Sequence, residues 1–206
     1  MQNDIDPAER SRHLALSEPS PWIARFAALA PAGGSVLDLA AGGGRHARVF
    51  LDRGHPVTAI DKNTSALDAL PAHDRLTIIG FDMEAGEPVF EQGGPLAGQT
   101  FDTIVVVNYL YRPHFPGLLD ALAAGGLLLY ETFALGNEAF ARPRNPDHLL
   151  KSGELLELTA GRMQIVAYEH GLLEGGDIPG VKQRLCAVKD LSASQRADNE
   201  PPAHPI

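Results

Sequence analysis

A run of glycines between two carboxylates is the feature of the sequence best suited to chemistry. Gly42, Gly43 and Gly44 follow the short apolar run VLDLA and precede the helix-forming run RHARVFL. Glycines at such a strand-to-helix junction let the backbone turn sharply and let a ligand approach main-chain N–H groups. Asp61 ends the next apolar run, TAID, where a carboxylate can accept hydrogen bonds from ribose hydroxyls. The pattern predicts a nucleotide-type cofactor, against the alternative of a turn that serves packing alone.

The choice of cofactor depends on residues around the loop. The spacing Gly42-x-Gly44-x-x-Ala47 satisfies the dinucleotide fingerprint. However, Asp38 lies inside the first strand, where a dinucleotide-binding strand is normally apolar. The Tyr-x-x-x-Lys pair of short-chain dehydrogenases is also missing, because the residues four places after the tyrosines are Pro113, Phe115, Ala134 and Leu172. These observations favour S-adenosylmethionine over NAD.

Four segments carry a resemblance to a known family. In chain order, VLDLAAGGGRHA, TAID, GFDME and FDTIVVVNYL resemble the motifs of class I S-adenosylmethionine-dependent methyltransferases, and the resemblance extends over roughly residues 35–189. GRHA and NYLYRP resemble small bacterial methyltransferases of the tellurite-resistance type. The family pattern Asp-x-Gly-x-Gly-x-Gly begins here at Asp38, with Ala40 in place of the first glycine. The resemblance implies a Rossmann-like methyltransferase fold and S-adenosyl-L-methionine as the cofactor.

The resemblance also implies roles for individual residues. Asp38 would order the loop and the methionine amino group, Asp61 would hold the ribose diol, and Asp82 would accept from the adenine amino group. Met83 would offer its N–H and its side chain to the adenine ring. Asn108, at the end of the fourth strand, faces the carboxyl-end crevice, where its carbonyl or its amide could meet the methionine amino group. The full set of predicted cofactor-binding residues is Asp38, Ala40, Gly42, Gly44, Asp61, Lys62, Asp82, Met83 and Asn108.

Methyl transfer from a sulfonium is an in-line displacement, which requires alignment and exclusion of water rather than a catalytic triad. If the acceptor must lose a proton, a base would help. The candidates for a catalytic role are Tyr109, Tyr111 and His46, with His114 and Glu131 as further titratable groups near strand or loop ends. Each has a simpler alternative: His46 can pack beside the cofactor loop, and the tyrosines can form the pocket wall. The sequence leaves the catalytic residue unknown.

The acceptor is predicted to be a small molecule. The amino-methylating signature Asn/Asp-Pro-Pro-Tyr/Phe is absent, since the chain reads NYLY from Asn108, and no recognition domain for a macromolecule is visible. Tyr111 is a candidate for contact with the acceptor. Within the long loop 134–152, Arg142 and Arg144 flank a proline and offer positive charge to an anionic acceptor. The alternative is two solvated arginines that pair with acidic residues of the same loop.

Strand-like and helical runs alternate along the chain. The strand-like runs are SVLDLA, PVTAID, LTIIGFD, FDTIVVVNYL and LLLYETF, and the helical runs are SPWIARFAALAP, RHARVFLDRGH, NTSALDAL and LLDALAAGG, the last ended by glycine. Such alternation requires parallel pairing through crossovers. MQIVAYEHGLL and VKQRLCAVKDL, with no helical period between them, predict a closing antiparallel pair. The predicted fold is α/β, a doubly wound, mostly parallel seven-stranded sheet with a C-terminal antiparallel strand pair.

Length and composition set the remaining expectations. The 206 residues predict a methyltransferase domain at 35–190, preceded by a helical segment at 1–34 that packs on it and followed by a disordered tail at 191–206. A net charge of −9 argues against nucleic acid and anionic lipid as partners. The single cysteine, the histidines without paired spacing and the lack of a signal peptide or long apolar run predict a cytoplasmic protein with no metal. A non-catalytic S-adenosylmethionine-binding module and, with less support, a nicotinamide-dinucleotide-binding protein stay open as alternatives.

Overall fold

The computed structural model describes residues 18–174, 179–190 and 200–206. Its strands are β1 (Val36–Leu39), β2 (Val57–Asp61), β3 (Leu76–Gly80), β4 (Phe101–Val107), β5 (Leu122–Phe133), β6 (Gln164–Leu173) and β7 (Gly180–Val188). They form one sheet in the order β3-β2-β1-β4-β5-β7-β6. The first five strands pair in parallel, and β7 pairs antiparallel with both β5 and β6. The predicted doubly wound, mostly parallel seven-stranded sheet with a C-terminal antiparallel pair is confirmed.

Short helices cover both faces of the sheet. They are α1 (Pro21–Phe26), α2 (Arg45–Leu51), α3 (Ser65–Asp68), α4 (Phe115–Ala121) and α5 (Glu154–Thr159). Helix α1 begins as the sequence predicts, because Pro21 occupies the first turn and the Ser20 hydroxyl accepts a hydrogen bond from the Trp22 N–H at 3.2 Å. Helix α5 was not predicted from the sequence.

The alternation of side chains along the central strands separates two hydrophobic cores. On one face Val105 and Leu129 pack with residues of α1 and α2, such as Trp22 and Phe50. On the opposite face the neighbouring residues of the same strands pack with residues of α4 and α5, among them Leu118 and Leu155. Since both faces are covered, β1 is buried along its whole length, including its one charged residue.

One predicted element differs from the structure. The run LLDALAAGG was predicted to be helical up to its glycines, but α4 ends at Ala121 and β5 already begins at Leu122. Leu122 fits the helical period, yet it is buried by pairing with Phe101 of β4. The register then shifts, and Gly125, with φ +75°, allows the irregular backbone before regular pairing resumes at Leu127.

The long connection after β5 is fixed at its base. Residues 134–152 contain two single 3-10 turns, and Ala134 forms an isolated bridge with Leu150. The Arg112 guanidinium donates to the main-chain oxygens of Asp147 and Leu149 and to the Glu154 carboxylate. The base of the loop is therefore held, while Phe140 near its tip is exposed.

The chain termini are described in part. Residues 1–17 and 191–199 lie outside the described residues, so the predicted N-terminal segment is seen only from residue 18 and the predicted disordered tail only from residue 200. In that last stretch Gln164 donates to the Pro202 oxygen, and His204 contacts Asp190 at 2.8 Å. Within the described ranges, no helix has both the length and the apolar character needed to cross a membrane.

Candidate active site

The loop between β1 and α2 has the backbone that its glycines favour. Ala40, Gly42 and Gly44 all have positive φ, at +58°, +56° and +73°. A Cβ placed on Gly42 would meet nothing within 4 Å, whereas one on Gly44 would lie 2.8 Å from side-chain carbons of both Leu67 and Leu70. Gly44 is therefore required for packing against α3 and its following turn. Gly42 instead borders open space that a ligand can occupy.

Two carboxylates fix this loop by hydrogen bonds, one to the loop itself and one to the helix that follows it. Asp38, buried in β1, accepts a hydrogen bond from the Ala47 N–H at 2.9 Å and so ties the first turn of α2 to the sheet. Burial raises the pKa of Asp38 to about 7; the Ala47 bond opposes this rise, and the nearby Asp61 charge adds to it. Asp61 accepts from the N–H groups of Gly42 and Asn63, both at 2.9 Å. Because a carboxylate has about four acceptor positions, Asp61 can still accept from a ligand.

The residues predicted to bind adenine follow β3. Asp82 is exposed and accepts from the Glu84 N–H at 3.1 Å in a local turn. Lys62, predicted to bind the cofactor, is also exposed but directly follows β2. The side chain of Met83 is buried in the larger core, and its carbonyl oxygen lies 2.8 Å from Nε2 of His114. This contact joins the turn after β3 to the segment after β4.

A cavity of about 310 Å³ opens beside Met83. It lies between residues 83–91 and residues 111–114, with Tyr111 and His114 on one wall and Val89 on the other. The rings of Tyr111 and His114 are 4.6 Å apart. A volume of roughly 300 Å³ is at the small end of the range for ligand pockets, and this cavity can take a part of a ligand such as a heterocyclic ring.

Asn108 and Tyr109 come directly after β4. Asn108 has φ +57° and donates its N–H to the main-chain oxygen of Glu131 at 2.8 Å. Its side-chain oxygen accepts from the Lys182 ammonium at 2.9 Å. That oxygen was one of two groups expected to meet the methionine amino group; it is engaged by Lys182, and the main-chain oxygen is left for that role. The Tyr109 hydroxyl is buried without a partner among the described residues. Burial, followed by the charge of Glu84, raises the pKa of Tyr109 far above its ordinary value, so the hydroxyl stays protonated.

Sequence reasoning named His46 and Glu131 as separate titratable groups but missed the buried polar cluster that they form with other residues on the β5 side of Asn108. We call it the Glu131 cluster and define it as Ser20, His46, Glu131, Lys182 and Arg184. Glu131 accepts from the Lys182 ammonium at 2.8 Å and from the Ser20 hydroxyl at 2.5 Å, and the Arg184 Nε lies 3.4 Å away. Burial acts to raise the pKa of Glu131, but the charge and hydrogen bond of Lys182 outweigh it, and the net pKa is lowered. Glu131 is therefore an ionised structural partner and a poor general base.

His46 is buried in the same cluster. Its Nε2 accepts a hydrogen bond from the Ser20 N–H at 3.2 Å. Burial, and then the charge of Arg45, lowers the pKa of His46 to about 3. The ring is neutral near pH 7 and its lone pair is engaged, which argues for the packing role over the catalytic one.

The loop arginines are placed differently from the other predicted site residues. Arg142 and Arg144 are exposed on the loop after β5, whose interior is held by Asn137, the donor to the Ala141 and Pro143 oxygens.

The other predicted site residues come together in pairs. Hydrogen bonds connect Asp61 with Gly42, and Asp38 with α2, while Tyr111 and Met83 both line the cavity. Within the described ranges, no three His, Cys, Asp or Glu side chains come together as a metal site.

Comparison with known proteins identifies the family. A family model described as a methyltransferase domain matches residues 10–166. The chain belongs to this methyltransferase family. The resemblance to class I enzymes in the sequence is thereby confirmed, and with it S-adenosylmethionine as the cofactor. No curated protein matches the sequence well enough to count as a relative.

Solved structures agree with the methyltransferase fold. TehB from Haemophilus influenzae is similar with a TM-score of 0.61 at 19% identity; the match covers 81% of this chain and 61% of TehB, so the chain spans about three fifths of that protein. The 1,6-didemethyltoxoflavin-N1-methyltransferase of Burkholderia thailandensis gives 0.60 at 20% identity, covering 83% of this chain and 77% of the enzyme. The glycopeptide N-methyltransferase MtfA, complexed with S-adenosylhomocysteine, gives 0.53 at 25%, covering 82% and 89%.

Proposed function

We propose that this methyltransferase transfers the methyl group of S-adenosylmethionine to a small-molecule acceptor. The observation that carries the proposal is the loop held between Asp38 and Asp61, with open space at Gly42. When bound, the cofactor would supply a methyl group activated by its sulfonium, and the acceptor lone pair would take this methyl in line as S-adenosylhomocysteine leaves with the electron pair of the broken carbon–sulfur bond. The residues present fit this cofactor, because Asp61 keeps free acceptor positions and Gly42 borders open space where a side chain would otherwise stand.

The residues of this chain divide the work of binding. Asp61 would hold the ribose, the loop from Ala40 to Gly44 would contact the methionyl part, and Asp82 with Met83 would face adenine. The cavity between Met83 and Tyr111 is a place where this chain can enclose part of its ligand. Tyr111 and the protonated Tyr109 would line the pocket and exclude water rather than remove a proton.

A small acceptor is supported by the absence of the amino-methylating signature and by the net charge of −9, which disfavours nucleic acid. Two of the neighbours are a 1,6-didemethyltoxoflavin-N1-methyltransferase and a glycopeptide N-methyltransferase. We propose further that Arg142 and Arg144 orient an anionic group of the acceptor, and that the protein works in the cytoplasm, where its one cysteine stays reduced.

Ligand-dependent stability separates this proposal from its rivals. Thermal shifts are measured with S-adenosylhomocysteine, NAD and NADP at equal concentrations. S-adenosylhomocysteine should stabilise the fold by roughly 2.7 kcal/mol at a hundredfold excess over Kd, and the dinucleotides should not. A larger shift with NAD would overturn the assignment.

Methyl transfer to a panel of thiols, amines, carboxylates and chalcogen oxyanions then distinguishes an enzyme from a binding module. Once an acceptor is found, the double variant Arg142→Ala/Arg144→Ala should lower its turnover while S-adenosylhomocysteine affinity stays within a few-fold. Unchanged turnover would refute the arginine role.

A further inference from the structure

Lys182 is a buried cation whose hydrogen bonding is incomplete. Its side chain is 5% exposed, and its ammonium group has three N–H donors. One donates to Glu131 and another to Asn108, and Nζ also lies 4.8 Å from the centroid of the Phe133 ring, so the third N–H has an aromatic ring but no oxygen acceptor among the described residues. An aromatic ring is a weaker partner for a buried ammonium group than an anionic oxygen, so Lys182 can still gain from donating to a charged ligand.

Asn108 provides a second donor at the same place. The Lys182 ammonium can only donate, so the side-chain atom that it contacts must be the amide oxygen. The Nδ2 group of Asn108 therefore points elsewhere, and it has no hydrogen-bond partner among the described residues. Since Asn108 is half-buried at the end of β4, this amide group lies at the crevice edge.

The charges around these donors favour an anion. Inside the cluster, one carboxylate, Glu131, faces two cations, Lys182 and Arg184. The other partner of Arg184 is Glu169, whose side chain is 48% exposed and therefore screened by solvent. His46 is neutral and adds no charge. The buried part of the cluster thus has positive charge to spare within a chain of net charge −9.

The position of the donors places them in the ligand crevice. In the strand order β3-β2-β1-β4-β5, the chain reverses direction across the sheet between β1 and β4, and open α/β sheets bind ligands at this point beyond the carboxyl ends. Asn108 directly follows β4, and Lys182 reaches it from β7. Both donors lie on the side of the crevice away from Asp61 and β2.

We propose that Lys182 and Asn108 form an oxyanion-binding site that takes a carboxylate or a similar anionic group of a ligand in this crevice. The inference rests on the proposed function, because it assigns part of the same crevice. Two sources of the anion share this chemistry: the carboxylate of the cofactor's methionyl part and an anionic group on the acceptor. Glu131 is a positioning residue that holds Lys182 in place.

The decisive variant is Asn108→Asp. Aspartate has nearly the same shape, tolerates positive φ, and still accepts from Lys182. It replaces the crevice-facing donor with a charged oxygen that repels an anion. Gln99→Glu is the matched control, because the substitution adds the same charge away from the crevice. Gln99 is exposed and precedes the amino end of β4, whereas the crevice lies at the carboxyl ends of the strands. Asn108→Gly removes the donor, together with the oxygen that accepts from Lys182, without adding charge, and glycine also suits the positive φ.

Calorimetry measures the affinities for S-adenosylhomocysteine and for 5′-methylthioadenosine, which lacks the amino-acid part. Thermal shifts with sodium acetate and sodium sulfate are recorded with and without S-adenosylhomocysteine. If the cofactor carboxylate is the ligand, Asn108→Asp weakens S-adenosylhomocysteine about tenfold or more, Asn108→Gly weakens it less, and 5′-methylthioadenosine stays within twofold. If an acceptor anion is the ligand, S-adenosylhomocysteine is unaffected and the stabilisation by acetate or sulfate is lost. Gln99→Glu should match the parent in both.

The proposal is overturned if the parent binds S-adenosylhomocysteine and Asn108→Asp equals it in both affinity and anion response. Failure of the parent to bind S-adenosylhomocysteine refutes the proposed function instead. In that case the oxyanion site is judged by the anion titration of the parent against Asn108→Asp alone.

Discussion

The two sides of the crevice hold their carboxylates in opposite ways. On the β2 side, Asp61 is only half-buried and accepts from two main-chain N–H groups. On the β5 side, Glu131 is buried and accepts from Lys182 and Ser20, with Arg184 nearby. An acid bound only by backbone donors keeps acceptor positions for a ligand. The acceptor positions of an acid bound to buried cations are occupied within the protein. On that side of the crevice, the cations rather than the carboxylate are therefore the groups that can meet a ligand.

The largest effect should follow from removing the buried acid. Glu131→Leu leaves Lys182 without its counter-charge, and an uncompensated buried charge typically costs about 3 to 5 kcal/mol. Urea unfolding should show a loss of that order in the free energy of unfolding. In contrast, Asp61→Ala should change it by about 1 kcal/mol or less, because solvent reaches the Asp61 site.

The double variant Glu131→Leu/Lys182→Met controls for the shape of the site. Removing both charges together often costs little, so it should recover most of the stability lost in Glu131→Leu. A double variant as unstable as the single one would show that Glu131 acts through packing rather than through its charge.

Asp38 sharpens the comparison, because it is buried like Glu131, but burial outweighs the nearby Arg45 charge and its pKa is raised, whereas that of Glu131 is lowered. Its pKa of about 7 means that the folded protein keeps a proton that the unfolded chain releases from about pH 4. Stability contributed by this group is therefore present at low pH and is lost as pH rises toward 7. Asp38→Asn keeps an acceptor for the Ala47 N–H but does not titrate.

Relative to the parent, Asp38→Asn should gain about 3 kcal/mol in unfolding free energy between pH 4.5 and pH 8. Denaturant unfolding of both proteins at the two pH values measures this difference, in which the other titrating groups cancel. A constant difference across the range would mean that Asp38 is ionised throughout. The same variant should bind S-adenosylhomocysteine more weakly if Asp38 contacts the methionine amino group as the family resemblance implies.

Asp61 tests the ligand-facing side. Asp61→Ala should weaken S-adenosylhomocysteine binding by roughly 10- to 100-fold, as expected for the loss of charge-assisted hydrogen bonds worth about 1.5 to 3 kcal/mol. Calorimetry gives the affinity, and Asp74→Ala is the matched control, since Asp74 is exposed before β3 and loses the same charge. If the two variants bind equally well, Asp61 does not contact the cofactor.

The sequence revealed individual acids more readily than their partners. Asp38 was recognisable as a charge inside an apolar strand, and Glu131 interrupts LLLYETF in the same way. Lys182, however, lies 51 residues from Glu131, and their contact depends on the register between β5 and β7. Register across distant strands leaves no local signal in one sequence. The charges in VKQRL therefore looked like ordinary strand residues.

The fold was predictable because the alternation of strands and helices is itself local. The start of β5 was not, since Leu122 suits a helix and only pairing with Phe101 makes it part of a strand. The roles assigned to Asp82 and Met83 came from family resemblance and stay predictions. Met83 is a buried methionine, and amino-acid composition alone does not distinguish a buried methionine that contacts a ligand from one that only packs in the core.

The smallest expected effect on stability concerns two glycines of one loop. Gly42 and Gly44 both have positive φ, but only Gly44 is backed by leucine side chains. Ala40, at φ +58°, shows that this loop already contains one Cβ in the left-handed region. Gly42→Ala should therefore cost only about 1 kcal/mol of unfolding free energy. Gly44→Ala should cost more, because its Cβ would also displace Leu67 and Leu70.

Binding should rank the two variants in the reverse order. The methyl group of Gly42→Ala enters the space left for the cofactor, so S-adenosylhomocysteine affinity should fall by about tenfold or more, beyond what its small stability loss explains. Gly44→Ala should bind with a smaller loss once the unfolded fraction is taken into account. Urea unfolding and calorimetry on both proteins give the two rankings. Equal binding by Gly42→Ala and the parent would mean that the open space at Gly42 is not where the cofactor lies, and the β2 side would then lose its assignment as the ligand-facing side.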